Sequence, residues 1–133
     1  MKEKLADALR ARGFSVDDKG ARSEEPSDYP DFARAVAADI SEGKARRGVL
    51  LCGSGIGMDI VANRYRGVRA ALAWNSDIAA LSRLHNDSNV LVIPARFVSD
   101  AEALKMLERW LDTEFEGGRH MRRVEKIDMG KNQ

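Results

Sequence analysis

Cysteine is nearly missing from this 133-residue chain: Cys52 stands alone, so no disulfide can form within it, and the usage fits a reducing compartment. A charge of one sign is missing too. The 22 Lys and Arg against 21 Asp and Glu leave +1, which offers no bulk attraction to nucleic acid or to a membrane surface. No apolar run approaches the length of a membrane span, and no signal-peptide pattern is present. Glu3 and Asp7 in the amphipathic N-terminal stretch are out of keeping with a transit peptide. Proline is scarce, and of the three present Pro26 and Pro30 fall together in the polar stretch Arg22 to Pro30, which reads as a loop. There is no internal repeat and no low-complexity tract. The expectation is one soluble, cytoplasmic, globular domain over residues 1–133, long enough to bury a core.

Glycine is concentrated in one place. Gly48-Val49-Leu50-Leu51 is an apolar, branched run without polar alternation, as in a buried parallel strand. Cys52 follows, then Gly53-Ser54-Gly55-Ile56-Gly57, then a helical stretch from Met58 to Arg64. Open α/β sheets place ligands at the carboxyl ends of their strands, and a glycine turn into a helix lets several N–H groups converge on an anion. The same helix dipole favours the thiolate of Cys52. Met58 at the sixth position departs from the dinucleotide fingerprint, and no Gly-Lys-Ser/Thr follows as in a phosphate-binding P-loop. Each feature has an ordinary alternative. The loop can be a tight turn, and a lone cysteine commonly acts as a small buried apolar residue.

Around this segment, strands and helices alternate. Helices are predicted over Lys2 to Arg12 with Gly13 as C-cap, about Asp31 to Glu42 with Phe32, Val36 and Ile40 on one face, and after an Asn75 or Ser76 cap. Another opens at the capping box Ser99-Asp100-Ala101-Glu102 and runs to about Leu111, and a last short one covers Arg119 to Ile127. Phe14-Ser15-Val16, Gly67 to Ala73 and Asn89 to Ile93 read as further strands. Such alternation gives a three-layer α/β/α, Rossmann-like, doubly wound parallel sheet. The chain starts on a helix, however, so the first strand is missing.

Two polar clusters remain. His85-Asn86-Asp87-Ser88-Asn89 lies between a helix and a strand, where Asn and Asp serve turn chemistry, and where a histidine can also act as acid or base. Arg119 and Arg123 share a helical face after the hinge Gly117-Gly118, as a solvated basic face or a phosphate clamp that Arg96 can join. His120 points elsewhere on that helix and is read as structural. Trp74, after the third strand, is read as core or interface packing ahead of a pocket wall.

Four ordered motifs then converge: Asp28-Tyr29-Pro30, Gly48 to Gly57, Leu81 to Leu91, and Phe115 to Val124. Over nearly the whole chain they resemble the ribose-5-phosphate isomerase B family, which includes galactose- and allose-6-phosphate isomerases. The resemblance implies reversible aldose–ketose isomerisation of a sugar phosphate, chiefly ribose 5-phosphate to ribulose 5-phosphate, with neither metal nor cofactor. Cys52 takes the position of the base that moves a proton between C1 and C2. The amides of Gly53, Ser54, Gly55, Ile56 and Gly57 would hold the oxyanion, and Ser54 stands where threonine is usual. His85 matches the group that assists ring opening, Asn86 a holder of a sugar oxygen, and Arg96, Arg119 and Arg123 the substrate-binding arginines, the last two on the phosphate. A homodimer or dimer of dimers with the site shared across its interface is implied.

The family pattern opens with a strand ending in an Asp-His pair, and no residue here can be assigned the roles of that pair. Two expectations follow: an upstream stretch for which Met1 is internal, or a short, impaired paralogue. The competing functional readings are a non-catalytic or partner-dependent sugar-phosphate-binding subunit and a hexose-6-phosphate isomerase, with Trp74 and Asn75 as positions that tune substrate choice.

Overall fold

The computed structural model describes residues 1–20 and 28–127. Its centre is strand β3 (Val90–Pro94), every residue of which is buried. Alternation along a strand sends Leu91 and Ile93 to one face and Val90 and Val92 to the other, so both faces are apolar and both must be covered. Strand β1 (Gly48–Cys52) pairs with it in parallel, from Gly48 opposite Val90 to Cys52 opposite Pro94, and β2 (Ala70–Leu72) pairs on the other side. The order is β1-β3-β2.

Leu91 and Ile93 pack with Leu5 of α1 (Lys2–Ala11), Ala79 of α4 (Ser76–Asn86), and Ala103, Met106, Leu107 and Trp110 of α5 (Asp100–Asp112). Val90, Val92 and Leu50 pack with Ala33 and Ala37 of α2 (Tyr29–Ser41) and Met58 and Ala62 of α3 (Ile56–Ala62). The last helix, α6 (Arg119–Ile127), rests on α4. This is the doubly wound, three-layer arrangement that the alternation predicts.

Several boundaries differ from expectation for local reasons. Helix α2 starts at Tyr29, because Pro30 fits a first turn, where a missing N–H costs nothing. Residues 21–27 of the predicted loop lie outside the described residues. Phe14-Ser15-Val16 forms no strand; with β1 at the edge of the sheet, the segment has no ladder partner among the described residues. The same edge position leaves β1 mostly half-buried, with only Leu50 fully covered, where an apolar run alone predicts burial throughout. The capping box at α5 is half formed. Ser99 Oγ accepts from the Glu102 N–H at 3.1 Å, but Glu102 Oε1 accepts from the Ser76 N–H at 3.0 Å, tying the start of α5 to the start of α4.

The chain reverses between α4 and β3 through a compact polar knot. Asp87 caps α4 in the left-handed region at φ 48°, the one non-glycine described residue with positive φ. Buried Arg83 donates to Asp87 Oδ1 at 2.8 Å, to the Ser88 carbonyl at 2.6 Å and to the Thr113 carbonyl at 3.2 Å. Arg69 Nε donates to the Asp87 carbonyl at 2.8 Å. Ser88 Oγ meets Ser82 Oγ at 2.8 Å and accepts from Trp110 Nε1 at 2.8 Å. Removing Arg83 takes the donor from the Ser88 and Thr113 carbonyls and leaves the Asp87 carboxylate with Arg69 alone, 3.4 Å away, so Arg83→Met is expected to cost about 3 kcal/mol in urea unfolding. Asp87→Gly, which loses the ion pairs but relieves the positive φ, is expected to cost less than Asp87→Ala.

Candidate active site at two edges of the sheet

Cys52 ends β1 at the carboxyl edge of the sheet and is half-buried. The pairing continues past the strands, since the Cys52 carbonyl accepts from the Ala95 N–H at 2.8 Å and the Gly53 carbonyl from the Arg96 N–H at 3.1 Å. Arg96 lies against Gly53, where an added Cβ would stand 3.1 Å from its Nε. Gly55 has φ +78°, and a Cβ there would come within 2.6 Å of Leu72 Cδ1, so both conformation and space demand glycine. A side chain at Gly57 would run into the Tyr29 ring. Ser54 Oγ accepts from the Ile56 N–H at 3.3 Å, closing the turn. The N–H groups of Gly57 and Met58 belong to the first turn of α3 and have no carbonyl within the helix. The turn therefore brings N–H donors and a guanidinium to the edge that carries the thiol.

The sequence reading missed Asp59. It sits one turn into α3, half-buried, with Oδ1 buried and without a hydrogen-bond partner among the described residues. Burial pushes its pKa up to about 6, opposed by a hydrogen bond with the Leu72 backbone. Its signal in the sequence, an acid beside Met58 in an otherwise apolar helix, was too slight to separate from first-turn dipole chemistry.

The second group of expected site residues lies at the opposite edge. Helix α4 starts after β2 and runs back alongside the sheet, so His85 and Asn86 end up beside the amino ends of the strands, where the Gly48 N–H donates to the Asn89 carbonyl at 2.9 Å. The length of a five-residue strand, roughly 15 Å, separates this edge from Cys52. The Glu116 N–H donates to the Leu84 carbonyl at 3.0 Å and brings α6 onto the end of α4. His120, set off from the Arg119–Arg123 face, is turned inward and buried. It stacks on His85 with ring centroids 4.4 Å apart and planes 16° apart. Burial and the neighbouring His85 lower its pKa, and Arg119 and Arg123 act in the same direction against Glu116. Arg119 and Arg123 themselves are exposed.

One chain thus places Cys52, Gly53 to Gly57 and Arg96 at one edge, and His85, Asn86, Arg119 and Arg123 at the other. Arg96, expected to join the two α6 arginines, does not do so within the chain, because parallel strands send the exit of β3 away from the end of α4. Asn75, a candidate for tuning substrate choice, uses its side chain as the α4 cap, accepting from the Ile78 N–H at 2.8 Å. Trp74 is 55% exposed and belongs to no core.

A Rossmann-like parallel α/β domain with a thiol and an amide-rich turn at its carboxyl edge, and imidazole and guanidinium groups at the other, defines a class of small α/β domains equipped for acid–base work on an anionic substrate. The family model described as Ribose/Galactose Isomerase matches residues 1–127, and the chain belongs to this family. It is 42% identical over 127 residues to ribose-5-phosphate isomerase B of Escherichia coli K12, covering 96% of this chain and 85% of that protein. The crystal structure of a ribose 5-phosphate isomerase from Thermotoga maritima matches with a TM-score of 0.91 and 49% identity, covering 96% of this chain and 88% of that one. Ribose-5-phosphate isomerase B from Mycoplasma genitalium, solved with bound ribulose-5-phosphate, matches with a TM-score of 0.95 and 39% identity, covering 99% and 88%.

Two predictions test the carboxyl edge. Between the ordinary pKa of 3.8 and the folded value of about 6, native Asp59 holds a proton that the unfolded chain has released. Stability contributed by the neutral form is therefore lost as pH rises through that window. Asp59→Asn should be the more stable protein at pH 7.5, by on the order of 1–2 kcal/mol after allowance for partial exposure. The difference should vanish near pH 4 in urea midpoints. Gly55→Ala should unfold at lower urea than wild type, by about 2 kcal/mol, through strain at positive φ and collision with Leu72.

Proposed function

We propose that the chain interconverts ribose 5-phosphate and ribulose 5-phosphate, at sites built jointly by two copies of itself. The reading is carried by the thiol of Cys52 lying beside the amide turn Gly53 to Gly57 and Arg96. It is supported by identity to ribose-5-phosphate isomerase B and by likeness to the ribulose-5-phosphate-bound structure. The domain, read as one unit over residues 1–133, works in the cytoplasm, in keeping with a single cysteine that forms no disulfide.

The chemistry follows from the groups. His85 assists opening of the furanose by protonating the ring oxygen as the C1 hydroxyl proton leaves, while Asn86 holds a sugar oxygen. The Cys52 thiolate takes the proton from C2, and the C–H electron pair forms the C1–C2 double bond as the carbonyl electrons move onto O1. The amides of Gly53, Ser54, Gly55, Ile56 and Gly57 stabilise that oxygen. Return of the proton to C1 and transfer of the O2 proton to O1 give the C2 ketone and the C1 hydroxyl, with no net change in atoms or electrons. Arg119 and Arg123 clamp the phosphate through charge-assisted, fork-shaped donation, and Arg96 binds substrate beside the turn.

Because these groups occupy opposite edges of one chain, the site closes when the Cys52 edge of one copy meets the His85 edge of another. Exposed apolar side chains at the carboxyl edge support that pairing: Ile56 is 55% exposed, Trp74 55% and Phe97 75%.

Turnover in deuterium oxide tests the reading, with ribose 5-phosphate beside allose and galactose 6-phosphates. Wild type should convert the pentose fastest and place deuterium at C1 of the ketose. Cys52→Ala should lose both activities by about 10²–10⁴-fold. Retained exchange in Cys52→Ala, or preference for a hexose, would overturn the respective part. His85→Gln should slow ribose 5-phosphate far more than C1 exchange of ribulose 5-phosphate, which needs no ring opening.

A further inference from the structure

The proposed reaction uses His85 and leaves two of its neighbours without a task. Potential ligand atoms of His85, Glu116 and His120 lie within 4.8 Å of one another, although the residues come from the end of α4, the segment before α6, and α6 itself. His120 is 5% exposed, and its Nε2 is buried with no hydrogen-bond partner among the described residues, 3.9 Å from Glu116 Oε2. A buried imidazole kept for packing alone would have this nitrogen satisfied. Here the nitrogen stands 3.9 Å from a carboxylate oxygen while a second imidazole stacks on its ring, and neutral imidazole offers a lone pair.

Two imidazole nitrogens and one carboxylate oxygen are the donor set of three-ligand zinc sites with an open fourth position. The nearby positive charges of Arg119 and Arg123 disfavour hard cations held by charge alone. They leave metals that form strong bonds to nitrogen, and the Glu116 carboxylate offsets part of the added charge. Donors on a tetrahedral ion stand about 3.3 Å apart, so the stacked rings must tilt and Glu116, exposed and outside any helix, must swing inward. We propose that His85, Glu116 and His120 bind one divalent transition-metal ion of the zinc class per chain, and that its binding withdraws His85 from the sugar and reversibly inhibits the enzyme. The inhibitory half rests on His85 as the ring-opening group; the binding half does not.

The test is equilibrium dialysis of the intact protein against zinc, with cobalt absorption to report nitrogen ligation, and turnover of ribose 5-phosphate with and without chelator. One ion per chain is expected. Glu116→Gln and His120→Gln should each weaken binding at least about tenfold, and Cys52→Ser should leave it unchanged. Glu116→Gln, an exposed position, should keep wild-type turnover without metal and need about tenfold more zinc for half inhibition. Absence of binding, binding indifferent to both ligand variants, or loss in Cys52→Ser overturns the site. Bound metal with full turnover overturns the inhibition. Binding with the expected variant pattern in a protein that never isomerises supports the metal site and sinks the isomerase reading.

Discussion

Helix α4 must stop, reverse and enter a wholly buried strand within three residues, and buried Arg83 is what holds that reversal. A guanidinium in the interior is tolerated only when its donors are satisfied. Here they reach the Asp87 carboxylate, the Ser88 carbonyl and the Thr113 carbonyl. Those contacts fix the C-cap of α4, the entry to β3 and the exit of α5. Trp110 joins through its bond to Ser88 Oγ. His85 and Asn86 sit on the turn that this knot braces, and the segment leading to α6 is bonded to Leu84 beside them. The imidazole stack and the arginine face are therefore placed by the same polar cluster that starts the central strand.

Strand polarity supplies the second constraint. In a parallel sheet every strand leaves by the same edge and every connecting helix returns to the other. The thiol, its amide turn and Arg96 lie at strand exits, and the groups on α4 and α6 lie where the helix returns. No rotamer change bridges a strand's length. A thiol base and an imidazole acid serving one sugar thus require two chains, and this is the physical argument behind the proposed pairing of copies.

Much of this was legible in the sequence. The alternation of elements gave the layers, and the run from Gly48 to Gly57 gave the strand, thiol and turn in their true places. The spacing of Arg119 and Arg123 gave their shared face. Other features depended on contacts between distant segments. His120 on Glu116 and His85 joins residues separated by a helix and a strand, and helical spacing says only that it leaves the arginine face. Asp59 became notable only when its burial was seen. Phe14 to Val16 has the composition of a strand, but a strand exists only with a partner. The resemblance to sugar-phosphate isomerases joined all the site residues into one list without saying which edge each occupies, and that division is the most consequential thing the fold adds.

The central claim, a site assembled from the Cys52 edge of one copy and the His85 edge of another, is tested most directly by mixing two inactive proteins. Cys52→Ala and His85→Ala chains, each impaired alone on ribose 5-phosphate, are unfolded together, refolded and assayed. A mixed pair carries one site with both groups intact, so random pairing should restore about a quarter of wild-type activity. If the mixture stays as inactive as its components while mixed pairs demonstrably form, Cys52 and His85 do not meet across copies, and the account is wrong.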